Sequence, residues 1–296
     1  MRALVVLTAA ESKKLIAKAV VAMDEVKRAR ESGAIVIHPS SSTYFLVEEL
    51  TGSLPTGVWV CGVVIPRGMC SSRDTTVSNY TGGVHKPKRD FAHAFVIRDG
   101  KAERGIPLHT VLDSMGPDDV YVKGCNTLDP EGNVGVLVGD RTGGTIAIVV
   151  GAAKRRGFKI IAPTHLGKLI PVPIRDAADQ IGVTRLDKVM GKPVSLMRIP
   201  ATVVTEIEAV KILTGAEAVP VASGGLGGAE GALSLALSGT TVQVEQAYAL
   251  AESVKGAQLP SPYVLDCREC PSTICHFYGR ADGGWIGATV AATPAR

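Results

Sequence analysis

The chain has little of what several protein classes require. Aromatic residues make up only 4% of its 296 positions, which leaves few side chains to stack on nucleic-acid bases. The formal net charge of +4 is spread along the sequence instead of forming a basic stripe. No apolar run approaches the roughly 20 residues that a bilayer-spanning helix needs. We therefore expect neither nucleic acid nor a membrane among the partners of this protein.

Cysteine is also sparse, with six residues in the whole chain. Three of them lie in apolar or glycine-rich segments, which does not resemble the disulfide framework of a secreted protein. The apolar start of the chain has a superficial likeness to a signal peptide, but Thr8 and Glu11 form a capping-box pattern that predicts a helix beginning at Thr8 instead. The sequence therefore predicts a cytoplasmic protein.

Apolar residues make up 46% of the chain, and they fall into an alternation of strands and helices. Residues 34–38 and 57–66 are continuously apolar, as in strands of a sheet that is covered on both faces. Helical spacing of apolar residues predicts one long helix over residues 9–32 and another over 144–156. This alternation predicts an α/β fold with a mostly parallel sheet covered by helices on both faces.

The pattern changes after about residue 190. A helix, two strands around the glycine-rich residues 223–228, a second helix and a further strand follow one another, which is most of a split β-α-β unit. We expect an α/β domain over residues 1–190, a smaller α+β (ferredoxin-like) unit over 191–266 and a cysteine-containing tail over 267–296. The elements after residue 190 are also compatible with an extension of the first sheet.

Two turns that follow apolar strands and precede helices are rich in small polar residues and glycine. A helix N-terminus leaves about four backbone N–H groups unpaired and carries roughly half a positive charge, so phosphate or carboxylate binds well there. The same residues also suit ordinary N-caps in surface turns. The candidate ligand-binding residues are Ser40, Ser41, Ser42 and Thr43 in the first turn, Asp140, Arg141, Gly143, Gly144 and Thr145 in the second, and Asn126.

Several segments resemble one superfamily. Residues 118–128 resemble the strand and turn of ribose-5-phosphate isomerases, whose D-x-x-x-x-K-G-x-G-x-x-L pattern places a lysine beside the sugar phosphate; Asn126 here replaces the second glycine. Residues 129–133 are similar to the D-x-x-G-N turn of coenzyme A transferases. Residues 139–163 resemble a helix and strand of methylthioribose-1-phosphate isomerases. All three belong to the isomerase, glucosamine-6-phosphate deaminase and coenzyme A transferase-like superfamily.

The resemblance extends over about residues 9–173, since residues 37–50 are similar to the isomerases' G-x-G-T-G-S-T loop and its helix. It implies a phosphate-binding α/β domain with Lys123 beside the ligand. The acidic D-G-A-D-E run of the isomerases falls near residues 91–100, where this chain keeps only Asp99-Gly100. The signature around the nucleophilic glutamate of coenzyme A transferases is also missing. These departures favour a protein that differs chemically from both families.

The candidate catalytic residues are Lys123, Asp129 and Glu131. A lysine at a strand end can neutralise an anion or polarise a carbonyl, and a carboxylate held within about 3 Å of the reacting group can act as acid, base or nucleophile. The structural alternatives are a surface lysine and a well-formed turn, because Asp-Pro-Glu-Gly is good turn chemistry. Cys125 is either a thiol activated by Lys123 or a small buried side chain.

The tail contains Cys267, Cys270, Cys275 and His276 in the pattern C-x2-C-P-x3-C-H. Thiolates at this spacing suit zinc or an iron–sulfur cluster. Adjacent Cys275 and His276 are poorly placed to bind one tetrahedral ion together, so a fourth ligand is expected from elsewhere in the chain or from another subunit. A redox pair and a simple cluster of thiols are the alternatives.

These observations lead to two hypotheses. In the first, the protein binds a small anionic metabolite, a phosphorylated sugar or a coenzyme A thioester, and acts as an isomerase or an acyl or coenzyme A transferase. In the second, it is a regulatory or scaffold protein that keeps the ligand pocket without the catalytic acids. In that case it assembles as a homo-oligomer through its glycine-rich second unit.

Overall fold

The computed structural model describes residues 1–55, 59–60, 62–71, 93–261, 264, 266–268, 270 and 272–280. The helices are Ala9–Ala22 (α1), Asp24–Ser32 (α2), Tyr44–Thr51 (α3), Leu108–Ser114 (α4), Gly144–Arg156 (α5), Ile174–Asp179 (α6), Glu206–Thr214 (α7) and Thr241–Ser253 (α8). The strands are Arg2–Leu7 (β1), Ala34–Ile37 (β2), Gly62–Ile65 (β3), Gly68–Ser71 (β4), His93–Arg98 (β5), Lys101–Pro107 (β6), Val120–Val122 (β7), Thr127–Leu128 (β8), Val134–Val138 (β9), Lys159–Pro163 (β10), Ser195–Ile199 (β11), Thr202–Val204 (β12), Glu217–Gly224 (β13) and Ala232–Ser238 (β14).

The largest sheet has six strands in the order β12-β10-β7-β2-β5-β6. β12, β10, β7 and β2 are parallel to one another, and β5 and β6 are antiparallel additions at one side. The α/β class is confirmed, and the sheet is mixed. From β2 the chain builds outwards through β5 and β6, then returns to the other side of β2 and builds through β7, β10 and β12. The winding direction therefore reverses between β2 and β7.

Alternate residues of the parallel strands enter two separate hydrophobic clusters. Ile35, Val122 and Ile161 pack with α1, α3 and α7 on one face. Val36 and Tyr121 pack with α4 and α5 on the other. This division follows the two-residue period of a strand. The strands are apolar throughout because both of their faces are buried, as the sequence pattern predicts.

A second sheet of three antiparallel strands, in the order β1-β14-β13, combines the first strand of the chain with two strands from beyond residue 190. Strand pairing thus crosses the predicted boundary near residue 190, since β1 joins the later unit while β12 joins the main sheet. The sequence reasoning missed β1, although its prediction of a helix start is confirmed. Thr8 caps α1 with a complete capping box.

Three predicted elements differ from the structure. The helix predicted over residues 9–32 is two helices, because Met23 has extended backbone angles between α1 and α2. Within the strand predicted over 57–66, β3 is half exposed and pairs only with β4 in a hairpin. β4 itself lies in the loop predicted over 67–89, of which residues 72–89 are outside the described residues. No helix among the described residues is long and apolar enough to span a bilayer.

We expect Leu235→Ala to destabilise the protein by about 2–5 kcal/mol, because large-to-small substitution in a core loses burial and leaves a cavity. Leu235 is fully buried in the central strand of the second sheet. The matched control is Leu4→Ala in the neighbouring strand, where Leu4 is 61% exposed and the expected change is within about 0.5 kcal/mol. Guanidinium unfolding followed by circular dichroism measures both, and equal shifts for the two variants would refute the proposed packing of this sheet.

Candidate functional site

Polar side chains meet where the winding of the main sheet reverses. The turn Ser40–Thr43, which we call the serine turn, follows β2. The residues Lys123-Gly124-Cys125 follow its parallel neighbour β7. Open α/β sheets bind ligands in the crevice at the carboxyl ends of their strands, at such a reversal. The two turns are in close contact, since a Cβ atom on Gly124 would lie 2.6 Å from Ser40 Oγ. Only glycine leaves room for the serine turn there.

The hydroxyl of Thr43 closes the serine turn instead of capping α3. It donates to the carbonyl of His38 at 2.7 Å and accepts from the backbone N–H of Ser40 at 3.0 Å. Thr43 occupies the N-cap position of α3 but makes no side-chain cap bond to the helix. The N-cap alternative therefore does not describe what this hydroxyl does. Ser41 and Ser42 direct their hydroxyls at lysines instead.

Two lysines from other parts of the chain contact the serine turn. Lys13 of α1 donates to Ser41 Oγ at 3.3 Å. Lys168, in the turn that follows β10, donates to Ser42 Oγ at 2.8 Å and to the carbonyl of Cys125 at 2.5 Å. We call Lys13 and Lys168 the lysine cluster. Lys123, at the end of β7, is 6% exposed and lies beside His38. The cluster connects the ends of β2, β7 and β10.

Burial makes the ammonium groups of the cluster costly to keep charged. Burial, with the neighbouring Lys168 ammonium, lowers the pKa of Lys13 to about 8, although Glu206 opposes this shift. The pKa of Lys168 is lowered for the same first reason. His38 is next to the cluster, and burial followed by repulsion from Lys123 holds its pKa well below the ordinary value. His38 is therefore neutral, and its Nδ1 forms a hydrogen bond with the hydroxyl of Tyr121 at 3.0 Å.

Glu206 is the carboxylate beside the lysine cluster, and its hydrogen bonds are directed elsewhere. It lies fully buried in the first turn of α7, where one oxygen contacts His165 Nδ1 at 2.5 Å and the other accepts the backbone N–H of Leu166 at 3.0 Å. His165 Nε2 lies 3.1 Å from the carbonyl of Gly231. Both ring nitrogens of His165 face acceptors, so this pair fastens the second sheet to the site.

The carboxylate of Asp129 is occupied by its own turn. It is 2% exposed and accepts hydrogen bonds from the backbone N–H groups of Glu131, Asn133 and Ile174 and from the Asn133 side chain. Burial alone raises the pKa of this carboxyl, and the four hydrogen bonds outweigh it and place the pKa below the ordinary value. Glu131 is exposed. These contacts give Asp129 a structural function in the turn.

The second predicted turn lies at the same edge of the sheet but on the other face. α5 ends just before β10 begins, so its C-terminus lies at the amino end of that strand. Its 13 residues extend about 20 Å, which places its N-terminus near the carboxyl ends of the strands. Its side chains pack in the cluster opposite that of α3. Asp140 bonds to Thr142 within the turn, and Arg141 is exposed.

Asn126 and Cys125 have local partners. The side-chain oxygen of Asn126 accepts the backbone N–H of Leu137 at 3.0 Å, which ties the start of β8 to β9. Cys125 is 4% exposed, and its sulfur lies 3.2 Å from the hydroxyl of Thr164. It packs in the same hydrophobic cluster as α5. Asn126 thus supports the turn after β7, and Cys125 is a buried member of the core beside the lysine cluster.

The tail cysteines are separated from this site. Cys267, Cys270 and Cys275 line one small cavity together with Cys70 of β4, whereas His276 is exposed and its Nε2 lies 3.2 Å from Arg280. Among the described residues, no three His, Cys, Asp or Glu side chains are already arranged around a metal position. The five cysteines that the structure describes are free thiols.

The sequence reasoning missed Lys13, Lys168, His165 and Glu206. Lys13 lies three and four positions before the buried Ile16 and Ala17, so it falls on the apolar stripe of its helix. A charged residue on such a stripe could have indicated a buried functional lysine. Residues 164–168 follow a strand that runs parallel to β2 and β7, and the carboxyl ends of parallel strands share one edge. Strand order, which the sequence does not reveal, was the missing information.

No protein-family model, curated protein or solved structure matches this chain. The candidate site is therefore defined by its own geometry. Two lysines, a serine turn and a helix N-terminus without a side-chain cap meet at the reversal of the main sheet.

We expect Asp129→Asn to lower the free energy of unfolding at pH 7 by about 1–3 kcal/mol, because the amide cannot accept all the hydrogen bonds that the carboxylate holds. A carboxyl with a depressed pKa stabilises the fold above its unfolded pKa, and that stabilisation disappears as pH falls through the folded pKa. The difference between wild type and variant should therefore shrink towards pH 3. Urea unfolding measures it, with Glu131→Gln as control; a pH-independent difference would contradict this assignment.

Proposed function

We propose that the lysine cluster and the serine turn bind a small anionic metabolite, a phosphorylated sugar or a coenzyme A thioester. The observation that supports this most is the excess of buried positive charge. Lys13 and Lys168 converge there with one neighbouring carboxylate, Glu206. A buried cation is costly unless it is paired, and a bound phosphate provides the missing negative charge.

The chemistry of the donors favours phosphate. Ammonium groups, hydroxyls and the N–H groups of an uncapped helix are the donors that phosphate oxygens accept from. α3 contributes its N-terminus directly after Ser42 and Thr43. The resemblance to the sugar-phosphate isomerase and coenzyme A transferase-like superfamily, with Lys123 beside the phosphate, supports the same ligand class and belongs to this proposal.

Catalysis in this proposal is isomerisation or acyl or coenzyme A transfer, with a lysine as the proton-transfer group. A lysine whose pKa is near 8 can give and take protons close to neutral pH, and Lys13 meets this condition. Asp129 and Glu131 are less suited to proton transfer. The carboxylate of Asp129 already accepts four hydrogen bonds from the protein, and Glu131 is exposed to solvent.

A second candidate function is ligand binding without turnover, as in a regulatory or scaffold protein. The engagement of Glu206 with His165 and of Asp129 with its turn favours it, because both oxygens of each carboxylate already bond to the protein. A thermal-shift screen over sugar phosphates and coenzyme A esters, followed by a turnover assay on each hit, distinguishes the two. Binding with no product formed would select the regulatory function.

Lys168→Met should weaken the binding of ribose 5-phosphate at least tenfold, because a charge-assisted hydrogen bond contributes about 1.5–3 kcal/mol. Lys13→Met should have an effect of similar size. The matched control is Lys18→Met on the same helix, since Lys18 is paired with Glu49 at 3.0 Å and is outside the cluster. Isothermal titration calorimetry measures all three, and unchanged affinity in both cluster variants would eliminate the proposed site.

Ribose 5-phosphate affinity should fall as pH rises above about 8. The lysine binds the anion as an ammonium, and the free protein loses this charge as pH passes the Lys13 pKa of about 8. A bound anion raises the pKa of Lys13, so the affinity stops falling once the pH exceeds the higher pKa that Lys13 has in the complex. The phosphate itself is already dianionic, since its second pKa is about 6.

Lys13→Arg provides the control for this pH dependence, because arginine stays charged throughout. Its affinity should fall less than that of the wild type as pH rises above about 7, because Lys168, whose pKa is also lowered, is then the remaining lysine that loses its charge. If wild type and Lys13→Arg decline together, another group controls binding.

A further inference from the structure

Three separated chain segments meet beside the β3–β4 hairpin. The backbone of Met69 in β4 accepts a hydrogen bond from Lys192 at 2.7 Å and donates to Met190 at 3.0 Å. On the other side, His276 donates to the carbonyl of Val189 at 2.9 Å. Residues 189–192 therefore lie between the hairpin and the tail. Their approach is close, since a Cβ atom on Gly191 would lie 2.0 Å from the carbonyl oxygen of Met69.

This assembly places four cysteines around one cavity. Cys70 comes from the hairpin, and Cys267, Cys270 and Cys275 come from the tail. The cavity holds about 20 Å³, and roughly 10–15 Å³ is enough for one water molecule. The space therefore fits a single ion.

The sulfurs receive donors that suit thiolates. Cys275 Sγ accepts the backbone N–H groups of Gly191 at 3.2 Å and Phe277 at 3.4 Å. Cys267 Sγ accepts from the guanidinium of Arg67 at 3.4 Å, and Arg67 is only 6% exposed. Hydrogen bonds to ligand atoms and a nearby cation are the outer-shell features that stabilise metal-bound thiolates.

Among the residues that the structure describes, hydrophobic packing around the cysteines is slight. The local cluster contains two buried side chains, Cys267 and Phe277, with Cys275 packed against them. Burying a side chain of this size contributes about 1.5–3 kcal/mol, while ordering each backbone residue costs about 1–2 kcal/mol. Fixing the tail against the hairpin therefore needs another source of free energy, and a structural metal ion supplies one in small units of this kind.

We propose that Cys70, Cys267, Cys270 and Cys275 bind one zinc ion that fixes the tail to the β3–β4 hairpin. Four thiolates form a common structural zinc site, with tetrahedral geometry. Cys70 takes the fourth position that the tail sequence leaves open, and His276 is not a ligand because it is exposed and contacts Arg280.

Ligation requires the sulfurs to turn towards the cavity centre, since no three described side chains are already arranged as a coordination shell. A small change in the Cα–Cβ torsion moves a sulfur without moving the backbone. Each of the four cysteines contributes to the wall of the same cavity, so their side chains already surround one space. The zinc ion itself imposes no directional preference from its d electrons.

The test is metal analysis of the full chain, produced with added zinc and purified without a metal-affinity column or chelator. We expect one zinc ion per chain in the wild type and its loss in Cys70→Ser and in Cys275→Ser. Cys125→Ser and His276→Ala are the matched controls, and both should retain the ion. Zinc that persists in Cys70→Ser but is lost in His276→Ala would overturn the assignment of the ligands.

Cobalt substitution of the unmodified chain tests the same claim without relying on a variant that folds. A tetrahedral site of four thiolates should give intense sulfur-to-cobalt charge-transfer absorption, and zinc should displace the cobalt stoichiometrically. Absence of these bands, a wild-type chain that takes up no zinc, or iron bound with inorganic sulfide would each overturn the proposal.

Discussion

The parallel pairing of β2 with β7 determines where the groups of the candidate site lie. Ile35 pairs with Val120 and Ile37 with Val122, so the two strands end at the same level and their turns face each other. The chain reverses its winding between them, and the flanking helices therefore diverge onto opposite faces of the sheet. A crevice remains at this point, and Gly124 lets the serine turn approach it closely.

Buried charge is the second constraint, and it follows from the first. Lys13 and Lys168 come from distant segments of the chain and contact adjacent serines. Folding alone gains little from bringing ammonium groups together, because their mutual repulsion and their desolvation are both unfavourable. Such an arrangement is typical of sites that bind an anion or move a proton. The His165–Glu206 pair then holds the second sheet against this edge.

The sequence predicted the elements better than their arrangement. Helices α4 and α5 and the serine turn could be located from periodicity and turn residues, because those signals are local. The partners of the serine turn could not, since Lys13 and Lys168 reach it through strand order and helix packing. Asp129 was a plausible catalyst by residue type, but its four hydrogen bonds depend on Ile174 and Asn133. Cys70 is brought to the tail cysteines by long-range contacts of residues 189–192 and of Arg67 with Cys267, which no local pattern reveals.

The most direct test of the central claim is a crystal structure of the protein with bound ribose 5-phosphate. We expect the phosphate to lie at the carboxyl ends of β2 and β7, within hydrogen-bonding distance of Lys13 or Lys168 Nζ and of the serine turn. A phosphate located instead at the N-terminus of α5, on the opposite face of the sheet, would contradict the assignment of the site. So would a crevice that stays empty while calorimetry shows that the ligand binds.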